Sequence, residues 1–251
     1  MASSCLAGLA VAASGAETVR VPAGTYVPFY ARESVKTARG QEDLHRPISV
    51  ASFALDRRPV TNREYQLFLR AHPEWRKSAV KPIFADAHYL AHWRSDLDFG
   101  DDADAERPVT NVSWFAAEAY CRAQGKELPT TDQWEYALAD NGRDRDALRQ
   151  RILTWYGESG AHELPAAKSG VANGFGVQGL AGHVWEWTLD FNSLMSGPDL
   201  RGSGQQFCGG ASLGASDPND YASFMRYSMR ASLKASYTTK LLGFRCARNE
   251  P

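Results

Sequence analysis

Apolar positions change period several times along this chain, and each change predicts an element. In VRVPAGTYVPF (19–29) two apolar runs flank a glycine, which reads as a strand, a turn and a second strand. The charged stretch 33–46 reads as a loop, and ISVASFALD (48–56) alternates as a half-buried strand should. The period then lengthens. Tyr65, Phe68 and Leu69 recur at helical spacing, with Thr61 placed to cap and Glu64 to complete a capping box. Residues 73–107 hold no period and are rich in His, Asp and aromatics, so they read as one long ordered loop. A second helix follows, with Ser113 as cap, Trp114, Ala117, Tyr120 and Cys121 on one face, and Gly125 as stop. In KELPTTDQWEYALAD Pro129 breaks the chain, Thr130 or Thr131 caps, and Trp134, Ala137 and Leu138 form an apolar stripe. From 150 to 251 the pattern predicts short strands and glycine turns without a long helix. No tandem repeat and no linker interrupt it.

Composition adds bounds. The 251 residues are 43% hydrophobic and 23% charged, within the globular range. A formal net charge of −1 gives no global field toward nucleic acid or an anionic surface. There is no Walker or Rossmann glycine loop. Residues 1–19 lack Lys and Arg. CLAGLAVAA (5–13) is a short apolar run, and Ser14-Gly15-Ala16 offers a small-x-small cleavage pattern. Residues 1–16 therefore read as the remnant of an export signal, or alternatively as a plain tail, and 17–251 as one domain. The run is too short to span a bilayer, which takes about 20 residues. Without the leader three cysteines remain, Cys121, Cys208 and Cys246. An odd count in an exported chain implies one disulfide and one thiol, or an intermolecular bridge.

Candidate chemistry starts at GLAGHVWEWT (179–188), where Trp185 and Trp187 bracket Glu186. The carboxylate reads as a metal ligand, a catalytic acid, or a buried structural group between two rings. His88 and His92, four apart, could share a metal, or serve as hydrogen-bonding side chains beside Trp93. His183 could shuttle protons or make one structural hydrogen bond. Cys208 precedes Gly209-Gly210 and reads as a redox or metal-binding thiolate, or as a small buried hydrophobe.

RPVTNREYQLFL (58–69), PVTNVSWFAAEAYCRAQGKELPTTDQWEYA (108–137), ANGFGVQGLAGHVWEWTLDF (172–191), CGGAS (208–212) and LGFRCAR (242–248) together resemble the formylglycine-generating-enzyme (sulfatase-modifying factor) family, in the family's order. The resemblance implies an α+β fold with little regular secondary structure, related to C-type lectin domains. It also implies a calcium site near the WEW segment, where Glu186 and the carbonyls of Val184 or Gly182 would be ligands. Gly179 and His183 replace oxygen donors of that pattern. The family's oxidases hold Cu(I) on a cysteine pair before the GFR motif, yet 209–245 contains no cysteine. Formylglycine formation by that route is excluded.

RAHPEWRKSAV (70–80), FADAHYLAHW (84–93) and the 207–248 region resemble a branch linked to periplasmic pyoverdine-siderophore maturation and to copper nitrite reductase accessory proteins. Cys121 and Cys246 match a disulfide of the family, and Arg230 and Arg245 match its arginines. Asp217, Asp220, Tyr221 and Arg226 lie where the copper cysteines are replaced, and carboxylates with a tyrosine can do acid–base work. Asp217-Pro218-Asn219-Asp220 is also a turn sequence. Two functions result. One is an oxidative or tautomerising enzyme acting on a small peptide-derived metabolite, with a redox cofactor the sequence does not name. Its pocket would lie between 73–107 and 208–230. The other is a non-catalytic factor that binds a periplasmic protein.

Overall fold

A computed structural model describes residues 16–28, 47–140, 143, 145–158, 163–180, 182–192 and 221–250. The chain opens with strands β1 (Thr18–Val21), β2 (Gly24–Tyr26), β3 (Ile48–Val50) and β4 (Phe53–Asp56). Helices α1 (Asn62–Ala71), α2 (Trp114–Ala123), α3 (Thr131–Ala139) and α4 (Arg145–Glu158) follow. Strand β5 (Trp185–Glu186), helix α5 (Tyr221–Ser232) and strands β6 (Leu242–Gly243) and β7 (Ala247–Asn249) complete the order.

The two strands of 19–29 do not pair with each other. β4 lies between β1 and β7 in an antiparallel sheet, β2 pairs β3, and β5 pairs β6 in parallel. The 48–56 run is likewise two strands rather than one, and β4 is buried at every position. Its Ala54 and Asp56 are covered where the alternation would have exposed one face.

The helix starts follow their side-chain chemistry. Thr61 accepts the Glu64 amide while Glu64 reaches back to the Thr61 amide, a reciprocal box. Ser113 caps α2, and Thr130, with Gln133, caps α3. Gly125 ends the α2 region at φ +66°, a left-handed position. The 73–107 stretch is irregular but integral to the core. It contributes buried Tyr89, Leu90 and Trp93, which pack with Tyr65 of α1 and Tyr120 of α2. The Tyr65 and Tyr89 hydroxyls share a 2.6 Å hydrogen bond, and the Trp93 indole donates to Asn62 Oδ1 at 3.2 Å.

Helices α4 and α5 correct the expectation of no long helix beyond 150. α5 contacts α4. A disulfide joins Cys121 on α2 to Cys246 at the edge of β7, across 125 residues. In the chain-entropy picture a closure of that length contributes about 5 kcal/mol.

Candidate functional site

Glu186 is placed by a two-residue parallel pairing. The Trp185 amide donates to the Leu241 carbonyl at 2.7 Å and the Trp187 amide to the Gly243 carbonyl at 3.0 Å. This brings the WEW and GFR segments side by side. Arg245 then grips the carboxylate through Nε to Oε2 and Nη2 to Oε1, both at 2.7 Å. The Trp134 indole from α3 donates to Oε2 at 2.8 Å. The remaining Arg245 donors go to the carbonyls of Asp56, Arg57 and Gln178. All five guanidinium N–H directions are used, and the Glu186–Arg245 pair is fully buried. Glu186 is therefore a structural carboxylate holding β5, β6, α3 and β4 together.

This geometry does not fit calcium. A divalent cation needs six to eight oxygens. Both Glu186 oxygens face N–H donors, and no cluster of three ligand-type side chains occurs among the described residues. Among the described residues no group of three ligand-type side chains lies by the carbonyls of Gly182 and Val184. His88 and His92 likewise gain no third ligand-type partner among the described residues.

His183 is buried, and its Nε2 lies 3.0 Å from the Ser169 hydroxyl. Gly179, at φ +71°, approaches the ring so closely that a Cβ there would sit 3.1 Å from Cγ and Nδ1. Gly170, at φ +87°, bounds the other side. The two departures from the family pattern, Gly179 and His183, are thus one steric unit: the imidazole occupies the space a side chain at 179 would need. Burial, and then the Arg245 guanidinium, lower the His183 pKa below its ordinary 6.5. The shift favours the neutral ring, which packs against Gly179 and Gly170 as a strut.

Arg226 does not face an open cleft. With Arg230 it clamps Glu135 of α3: Arg226 Nη2 donates to Oε2 at 2.9 Å and Arg230 Nη1 to Oε1 at 2.6 Å. Ser223 accepts a further bond from Arg226, and Arg230 lies 4.7 Å from the centre of the Trp134 ring. Burial pushes the Glu135 carboxyl up, but Arg226 and Arg230 outweigh it and hold it at about 2. Sequence reasoning missed Glu135. Its only signal was a carboxylate wedged between Trp134 and Tyr136 in a helix with an apolar stripe.

A third charged group, Asp56, lies under the disulfide. Lys126 Nζ donates to its Oδ1 at 2.5 Å and the Cys246 amide to its Oδ2 at 3.0 Å. Burial raises its pKa, against the pull of Lys126. Cys208, Asp217 and Asp220 lie outside the described residues, as does the side chain of Tyr221, the first residue of α5. The flanks of that stretch are placed. Phe191 packs on Trp187 at 5.0 Å and on Trp114 at 6.4 Å, and α5 is fixed to α3 by the Glu135 clamp.

The sulfatase-modifying factor enzyme 1-like domain matches residues 7–250 of the chain. The formylglycine-generating enzyme of Streptomyces coelicolor is 29% identical over 91% of this chain and 88% of its own length. The hercynine oxygenase of Mycobacterium tuberculosis is 31% identical over 58% of this chain, and the match spans 40% of that protein. Among solved structures CarF superposes with a TM-score of 0.50 at 16% identity, covering 94% of this chain and 99% of that one, a likeness of fold.

Proposed function

Because the chain belongs to the sulfatase-modifying factor enzyme 1-like domain family, we propose that it is an exported maturation enzyme that oxidises a small peptide-derived substrate without the family's copper–thiolate pair. The observation that carries this reading is the use of its cysteines. Of four, Cys121 and Cys246 are bonded to each other and Cys5 falls in the leader-like run. That leaves Cys208 as the one remaining cysteine of 17–251, and a two-thiolate Cu(I) site needs two. Relatives with different names, one a formylglycine-generating enzyme and one a hercynine oxygenase, support oxidation as chemistry this scaffold hosts on more than one substrate. The disulfide supports an oxidising compartment.

In this reading the substrate is a siderophore-type peptide whose chromophore precursor loses two hydrogens, with O₂ as acceptor. Asp217, Asp220 and Tyr221 move protons. The Glu186–Arg245 and Glu135–Arg226–Arg230 units keep the flanks of that segment rigid. The test incubates protein purified from the periplasm with a reduced siderophore peptide in air, alongside elemental analysis and a free-thiol count. A two-hydrogen mass loss that requires both protein and O₂, and weakens in Asp217→Asn or Asp220→Asn, is the expected outcome. Copper or iron lost on Cys208→Ser would assign the redox centre to that thiol. An unchanged substrate would sink the oxidase. It would leave the second reading, a binding factor for a periplasmic partner such as a copper nitrite reductase, which the internally paired state of His183, Glu186 and Arg226 favours.

A further inference from the structure

Residues 73–99 bury Tyr89, Leu90 and Trp93 but turn outward at 81–84. The Phe84 amide donates to the Lys81 carbonyl at 2.8 Å, so Pro82 and Ile83 form the tip of a tight turn. Ile83 is 72% exposed and Phe84 37%. The Phe84 ring is nevertheless supported from behind by Trp75 at 5.8 Å and Phe115 at 5.4 Å. Segment 234–238 is pinned to the same turn. The Asp86 amide donates to the Ser236 carbonyl at 2.9 Å, and Asp86 accepts from the Thr238 amide and hydroxyl. That segment presents Tyr237, 40% exposed, with Lys234 Nζ 5.5 Å from its ring centre. Lys81 and Lys234 are both exposed. The Asp86 carboxylate accepts from the His88 amide as well as from Thr238, and Glu74, beside Trp75, is exposed.

We propose that this tip is a peripheral membrane contact that docks the protein on an anionic phospholipid surface. A supported aliphatic–aromatic tip, a half-exposed tyrosine and two lysines match the layers of a lipid interface. Ile83 and Phe84 reach the acyl boundary, Tyr237 sits among headgroups, and Lys81 and Lys234 meet phosphates. The attraction is local, since the whole chain carries a formal charge of −1. No helix among the described residues is long and apolar enough to cross a membrane, so the contact is superficial. The inference stands independently of the reaction proposed above.

The experiment is co-sedimentation of the purified protein with phosphatidylcholine vesicles, with and without phosphatidylglycerol, at low and at high ionic strength. Wild type pellets with the anionic vesicles. Lys81→Glu/Lys234→Glu reduces the bound fraction about tenfold, and Ile83→Ser/Phe84→Ser abolishes the salt-resistant part. The four substitutions are at exposed positions, and unchanged melting of each variant verifies folding. Failure of wild type to pellet with either vesicle overturns the proposal, as does pelleting indifferent to both variants. A fall in oligomeric mass in Ile83→Ser/Phe84→Ser, with vesicle binding intact, also overturns it and assigns the tip to a contact between copies.

Discussion

At Glu186 a guanidinium and an indole meet both carboxylate oxygens in a fully buried setting. Neutralising one member of such a pair leaves the other charge uncompensated, which costs more than the net worth of the intact pair. Glu186→Gln is expected to lower unfolding free energy by about 3–5 kcal/mol, read by denaturant titration. At the neighbouring strut, Gly179→Ala forces a Cβ into a left-handed position against the His183 ring. A loss of about 1–2 kcal/mol is expected, part of it recovered in a His183→Ala background where the ring is gone. Equal losses in both backgrounds would show that backbone conformation alone, and not the ring, excludes a side chain at 179. The alternation Trp185-Glu186-Trp187 announced a carboxylate among large rings. It did not announce Arg245, which lies 59 residues away in sequence.

Elements divide by where their stabilising partners lie. The caps of α1, α2 and α3 join residues three apart, so Thr61, Ser113 and Thr130 were legible from their neighbours. α5 was not, because its buried positions Ala222, Ser223, Arg226, Tyr227 and Arg230 carry the helical period largely on polar side chains. Two buried arginines look like a solvated face until Glu135 of α3 is known to oppose them. That clamp sets an acid limit. The Glu135 carboxyl titrates at about 2 in the folded protein against 4.5 ordinarily. The unfolded chain therefore takes up its proton first as pH falls. The stabilisation is complete above pH 4.5 and is lost between 4.5 and about 2. Wild type and Glu135→Gln should differ by about 3–5 kcal/mol at neutral pH and converge across that window in chemical denaturation curves. Curves that stay parallel would mean Glu135 is not the titrating group.

Over the whole molecule, the Cys121–Cys246 bond ties the α2 region to the last strand, where Asp56, Lys126 and the Cys246 amide also meet. Cys121→Ser/Cys246→Ser should lose about 3–5 kcal/mol, and reductant should then have no further effect on the unfolding midpoint. The sequence by itself determined the family, the three capped helices and the absence of a cysteine pair near the GFR motif. Those rest on short-range hydrogen bonds and on residue identity, which neighbours in the chain specify. Only the tertiary structure decided which strands pair, that Glu186 is held by Arg245 and Trp134, and that Arg226 belongs to a buried clamp. Burying a charge is tolerable only with its counter-charge in place, and here each counter-charge comes from a distant part of the chain.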